Sequence, residues 1–180
     1  MFGEPLFEPI PEGLDPEVVF RKLSGRPGLF FLDSSARSTD QGRWSILGAD
    51  PYAVLSSASA PEAAPDAWAR LERTLRARAR PPRTVPGPFG GGAVGYLSYD
   101  LGRRFERIPD TAADPLATPE FRLGLYDRFV VFDRDSGEGW LVSTGDPAEG
   151  FAARRRAEDR LVGLRELLAQ GRAPARAPFS

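Results

Sequence analysis

The 180-residue chain contains no cysteine and no histidine. The first absence excludes disulfides, thiolate metal sites and cysteine nucleophiles. The second removes the commonest general base and the commonest metal ligand. Lysine is nearly absent too. Lys22 is the only one, so almost all the positive charge is arginine. With 24 basic against 25 acidic residues the net charge is −1, which gives no bulk attraction to nucleic acid or an anionic membrane. No apolar run approaches the length of a membrane span, and Met1-Phe2-Gly3-Glu4-Pro5 lacks the basic and apolar regions of a signal peptide. The cytoplasm is therefore the expected compartment.

What is present reads as a folded chain. Hydrophobic residues make up 41% and charged residues 27%, and a chain of this size can bury about 70% of its unfolded surface. Eighteen prolines and 19 glycines announce many loops. Residues 1–14, rich in proline and acid, read as an extended arm. Asp15-Pro16-Glu17 starts a helix with an N-cap side chain, proline at the first position and an acid in the first turn. It runs to Leu23 and stops at Gly25. The apolar run from Gly28 to Ser34 reads as a buried strand, and Arg43 to Gly48 and Tyr52 to Ser56 as two more, with a turn at Ala49-Asp50-Pro51.

Asp66 caps a second helix reaching Arg78, with Trp68, Leu71 and Leu75 on one face. The proline-rich residues 80–88 form an irregular connection, and residues 90–100 a glycine-started strand. Residues 121–134 read as a strand pairing with residues 140–144 across the loop Asp135-Ser136-Gly137-Glu138-Gly139. A last helix starts at Asp146-Pro147, turns Leu161, Leu164 and Leu168 inward, and ends near Gly171. Residues 1–171 are thus expected to form one domain, and residues 172–180 a linker.

Gly90-Gly91-Gly92-Ala93-Val94-Gly95 fits the dinucleotide pattern G-x-G-x-x-G letter by letter. That site needs a strand before the glycines and a helix after them, whereas here a proline-rich loop precedes and Tyr96-Leu97-Ser98-Tyr99 follows. The glycines are better read as letting a strand lie close to its neighbours. Asp33, Asp100, Asp127 and Asp133 stand near strand ends, where acids are common in turns, and nothing brings two of them together for acid–base work. Ser34-Ser35 has no histidine or lysine partner for nucleophilic chemistry. Arg154-Arg155-Arg156 reads as a solvated helix face, and Trp44, Trp68 and Trp140 as packing residues.

Three segments together carry a resemblance. Phe31-Leu32-Asp33-Ser34 with Gly42-Arg43-Trp44-Ser45-Ile46-Leu47-Gly48 resembles the opening of the chorismate-utilising synthases. Gly91-Gly92-Ala93-Val94-Gly95-Tyr96-Leu97-Ser98-Tyr99-Asp100 is similar to their glycine-rich strand, and Phe121 to Asp127 with Val130-Val131-Phe132-Asp133 to the strands that follow. Within that group the chain is most similar to component I of aminodeoxychorismate synthase, and next to component I of anthranilate synthase. The resemblance implies an α+β fold of layered α/β/β/α type, with antiparallel sheets and flanking helices. It also implies a glutamine amidotransferase partner that supplies ammonia, and a C-terminal chorismate-binding domain whose sequence lies outside this chain. Magnesium is expected only in that domain, so the resemblance implies no cofactor and no catalytic residue here. It does imply a tryptophan-type pocket at Ser34, Gln41, Gly42, Arg43 and Trp44. An alternative is a separate amino-acid-sensing domain, and another an interaction module.

Overall fold

The computed structural model describes residues 4–34, 42–59, 67–79, 85–107, 109, 118–145 and 152–170. The expected cap at Asp66, the start of the last helix at Asp146-Pro147, the connection at residues 80–84 and the tail 172–180 lie outside the described residues.

Two antiparallel sheets organise the chain. The first has five strands in the order β1-β8-β7-β3-β2, namely Leu6–Pro9, Gly139–Ser143, Arg128–Asp133, Trp44–Gly48 and Phe30–Leu32. The second has three in the order β4-β6-β5, namely Ala53–Ser56, Phe121–Tyr126 and Gly92–Leu97. Period-2 alternation gives the five-stranded sheet two apolar faces. Leu47, Val130, Phe132 and Leu141 point to one side, where α1 (Pro16–Leu23) and α3 (Ala152–Gln170) cover them with Val19, Leu23, Leu164 and Leu168. Ile46, Phe129, Val131 and Val142 point to the other, against Phe30, Trp44, Val85 and Phe89. The three-stranded sheet turns Leu55, Phe121 and Leu123 toward Ala67 and Leu71 of α2 (Ala67–Arg78). This is the mixed helix and antiparallel-sheet architecture expected from the sequence.

Local chemistry explains α1 almost completely. The Asp15 carboxylate accepts the Val18 backbone N–H at 2.7 Å, Pro16 occupies the first turn, and Glu17 pairs with Arg21 one turn on. Gly25 then adopts φ 80°, left-handed backbone that a side chain would disfavour.

Four expectations need correction. The N-terminal arm is not merely extended. Leu6–Pro9 pairs with β8 as an edge strand, with Leu6 opposite Ser143. The run ending at Ser34 is not a buried strand: β2 is a three-residue edge, and Leu32 is 49% exposed. Leu75 is more than a third exposed, so the core face of α2 rests on Ala67, Leu71 and Trp68. The largest correction concerns residues 121–134, which are two strands and not one. Phe121–Tyr126 pairs with β4 and β5 in the small sheet, while Arg128–Asp133 pairs with β3 and β8 in the large one. The chain changes sheets at Asp127, whose carboxylate is held by Arg156 and Arg160 of α3 at 2.9 and 3.0 Å. A buried charge so anchored ends the apolar alternation and fixes the crossing.

Candidate functional site

Four of the residues singled out in the sequence, Ser34, Gly42, Arg43 and Trp44, lie where β2 ends and β3 begins, beside the end of β7. Ser34 lies just past β2, Gly42 and Arg43 just before β3, and Trp44 opens β3 opposite Asp133 at the end of β7. Gly42 is buried, while Ser34, Arg43 and Trp44 are half-buried. Gln41 lies outside the described residues. The register that aligns Trp44 with Asp133 is enforced by apolar pairs further along, Ile46 with Val131 and Leu47 with Val130.

Two ion-paired groups hold this end together. Arg43 donates from Nε to Asp133 Oδ1 at 2.9 Å and from Nη2 to Asp133 Oδ2 at 2.5 Å, a two-pronged contact that suits a planar guanidinium. Its guanidinium carbon stands 4.8 Å from the centre of the Trp44 ring, a cation–π distance. The hydrogen bond from Arg43 lowers the Asp133 pKa to about 2, overcoming burial, which acts in the opposite direction. Beside this pair, Asp33 Oδ1 accepts the Ser45 hydroxyl at 2.6 Å and Arg134 Nη1 at 3.1 Å. The same Arg134 nitrogen donates to the Ser34 carbonyl, and the Arg134 backbone N–H donates to the Arg43 carbonyl at 2.8 Å.

The sequence reading left Asp33 and Asp133 as separate turn residues. The structure instead brings them to the same end of the sheet, on either side of β3, each engaged by an arginine. Asp133, held in its ionised form by Arg43, is a structural anchor and a poor proton acceptor, and Asp33 is tied to Ser45 and Arg134. Asp100, by contrast, is exposed and pairs with Arg103 three residues on. The contacts of Asp133 with Arg43 and of Arg134 with Ser34 carry no signal in the sequence, since the partners lie 90 and 100 residues apart along the chain. Arg156, expected on a solvated face, turns inward to Asp127, and its guanidinium also lies 5.3 Å from the Tyr52 ring.

The remaining motifs resolve structurally. The glycines at 90–92 lead into β5, and after Leu97 comes a short 3-10 segment, Tyr99–Arg104, in place of the α-helix a dinucleotide site needs. Among the described residues no three His, Cys, Asp or Glu side chains converge as a metal site. Nor, among them, is any helix long and apolar enough to cross a membrane.

Comparison with known proteins places this geometry. The chain superposes on anthranilate synthase component I from Streptococcus pneumoniae with a TM-score of 0.51 at 20% identity, covering 88% of this chain and 36% of that one. The fold is therefore shared with the matching part of anthranilate synthase component I. A family model described as chorismate binding enzyme matches residues 30–177, and the chain belongs to that family. It is 33% identical over 174 residues to aminodeoxychorismate synthase component 1 of Salmonella typhimurium, covering 91% of this chain and 35% of the relative. It is 34% identical over 143 residues to anthranilate synthase component 1 of Mycobacterium tuberculosis, covering 71% of this chain and 28% of the relative. The chain thus spans about a third of the length of these relatives, 35% of one and 28% of the other.

Proposed function

We propose that this chain is the N-terminal, non-catalytic part of an aminodeoxychorismate synthase component 1, acting in the amination of chorismate toward 4-aminobenzoate and folate. The observation that carries the reading is the 33% identity that runs through 91% of the chain to a protein of that name. In this reading residues 1–171 form the domain and residues 172–180 lead toward the chorismate-binding part. A glutamine amidotransferase supplies the ammonia. Magnesium belongs with the chorismate-binding part in the same reading. A cytoplasmic location is part of the same proposal. The mycobacterial relatives, 34% identical, support a second reading in which the synthase makes anthranilate.

The end of β2, β3 and β7 is proposed as an amino-acid pocket of tryptophan type. Ser34 offers a hydroxyl, Gly42 a backbone with no side chain in the way, and Trp44 an aromatic wall. Arg43 is engaged by Asp133, so its part is to hold the wall and not to meet the ligand's carboxylate.

The test of the synthase reading is turnover. The purified chain, with chorismate, magnesium and ammonia, is expected to form no product. Adding the remainder of the Salmonella relative as a separate polypeptide is expected to give 4-amino-4-deoxychorismate. Turnover by the chain alone would refute the non-catalytic assignment, and anthranilate as product would move it to the second reading. The pocket is tested by tryptophan titration, in which Ser34→Ala should weaken binding by about 1–3 kcal/mol if the hydroxyl meets a charged group. Unchanged affinity removes Ser34 from the site.

A further inference from the structure

We infer that Arg134 is the positioning residue of this amino-acid pocket, an inference that rests on the reading of the pocket given above. Ser34 and Arg43 stand on opposite sides of residues 35–41, and Arg134 bonds to both. Its side chain takes the Ser34 carbonyl and the Asp33 carboxylate, and its backbone N–H takes the Arg43 carbonyl.

The three contacts constrain different things. The bond to the Ser34 carbonyl holds the backbone of the pocket serine. Asp33 cannot swing away from Arg134, because the Ser45 hydroxyl holds the same oxygen at 2.6 Å. The backbone bond to Arg43 extends the β3–β7 pairing one residue past the strand end and sets the height at which Trp44 and its stacked guanidinium sit. Ion pairs as exposed as this one contribute little to global stability, since Arg134 and Asp33 are 29% and 39% exposed. Ligand geometry is less forgiving, because a displacement of about 1 Å in a binding group costs substantial affinity. Arg134 therefore controls affinity far more than folding.

The experiment is titration of the purified chain with L-tryptophan, run beside thermal unfolding, for the unaltered protein, Arg134→Ala and Arg134→Lys. Arg134→Ala is expected to bind at least tenfold more weakly while its melting temperature stays within a few degrees of the unaltered chain. Arg134→Lys, whose ammonium keeps the charge and several donors on one nitrogen, is expected to recover part of that loss. Equal affinity in the unaltered and alanine proteins overturns the role of Arg134 and leaves the pocket standing. A lower melting temperature with unchanged affinity, the pattern of a residue that only supports the fold, overturns it equally. If the unaltered chain shows no saturable binding, the pocket itself fails and the inference falls with it. Should Arg134→Ala fail to fold, Asp33→Asn carries the test, with at least threefold weaker binding expected and unchanged affinity overturning the assignment.

Discussion

Asp127 is 1% exposed, yet it lies between two guanidiniums, accepting Arg156 Nε at 2.9 Å and Arg160 Nε at 3.0 Å. The arrangement is asymmetric, because the arginines are 30% and 22% exposed and can turn to water. Removing the carboxylate should therefore cost less than stranding it. Asp127→Asn is expected to destabilise by about 1–3 kcal/mol. The Arg156→Ala/Arg160→Ala pair leaves an uncompensated buried charge and should cost about 3–5 kcal/mol. Urea unfolding of both variants checks the order, and the reverse order would show that the two arginines do not neutralise Asp127.

Asp133 gives the fold an acid-sensitive element. Its folded-state pKa of about 2 lies below the ordinary value of 3.8, so the folded state holds the ionised form more strongly than the unfolded chain does. The resulting stabilisation is complete above the ordinary value and is lost as pH falls from there to about 2. Melting temperatures measured from pH 6 down to pH 2 should fall less steeply below pH 4 for Asp133→Asn than for the unaltered chain. Equal slopes would mean that Arg43 does not select the charged form.

Gly95 separates the strand reading of the glycine-rich motif from a nucleotide-binding one. A Cβ there would stand 2.0 Å from the Arg122 carbonyl oxygen and 2.9 Å from the Leu123 Cα, both backbone atoms of β6. Gly95→Ala should cost about 1–3 kcal/mol by forcing β5 and β6 apart. Gly137, in the β7–β8 loop, has open space at the same position but a φ of 78°. Its alanine variant isolates backbone strain, and chemical denaturation of the two should give different losses.

Tyr126 of β6 is tied to the turn before β2 through its hydroxyl, which donates to the Gly28 carbonyl at 2.5 Å, while Phe30 of β2 packs edge-on against its ring at 4.7 Å. Burial, and secondarily the charge of Asp50, raise its pKa above the ordinary 10.0. The fold thus favours the neutral phenol, a contribution held below pH 10 and lost as pH rises through the folded-state value. Tyr126→Phe should cost about 0.5–1.5 kcal/mol at neutral pH. It should also remove part of the alkaline loss of stability, measured as melting temperature between pH 8 and pH 11.

What the sequence disclosed was mostly local. Capping at Asp15 and Pro16 lies within one turn of the helix it starts, and the loop at residues 134–138 lies between the strands it joins. Leu164 and Leu168 on α3 follow from spacing alone. Ser34, Gly42, Arg43 and Trp44 were picked out by resemblance, and they do lie at one strand end. Three features were out of reach. The pairing of Leu6 with Ser143 is long-range and spends little apolar surface. The change of sheet at Asp127 looks in sequence like one uninterrupted strand, because only the tertiary ion pair with α3 reveals it. The engagement of Asp33 and Ser34 by Arg134 depends on β3 lying between β2 and β7, a strand order that no short-range pattern encodes.

That single-residue passage at Asp127 bears on how the chain opens. β6 is the middle strand of the small sheet and β7 the middle strand of the large one, and they are consecutive along the backbone. Backbone amides at the two sheet centres should therefore exchange as a common cooperative unit, since neither centre can detach without pulling on the other. The edge strands β1, β2, β4 and β5 can fray one at a time, whereas loss of the middle pair is loss of the whole.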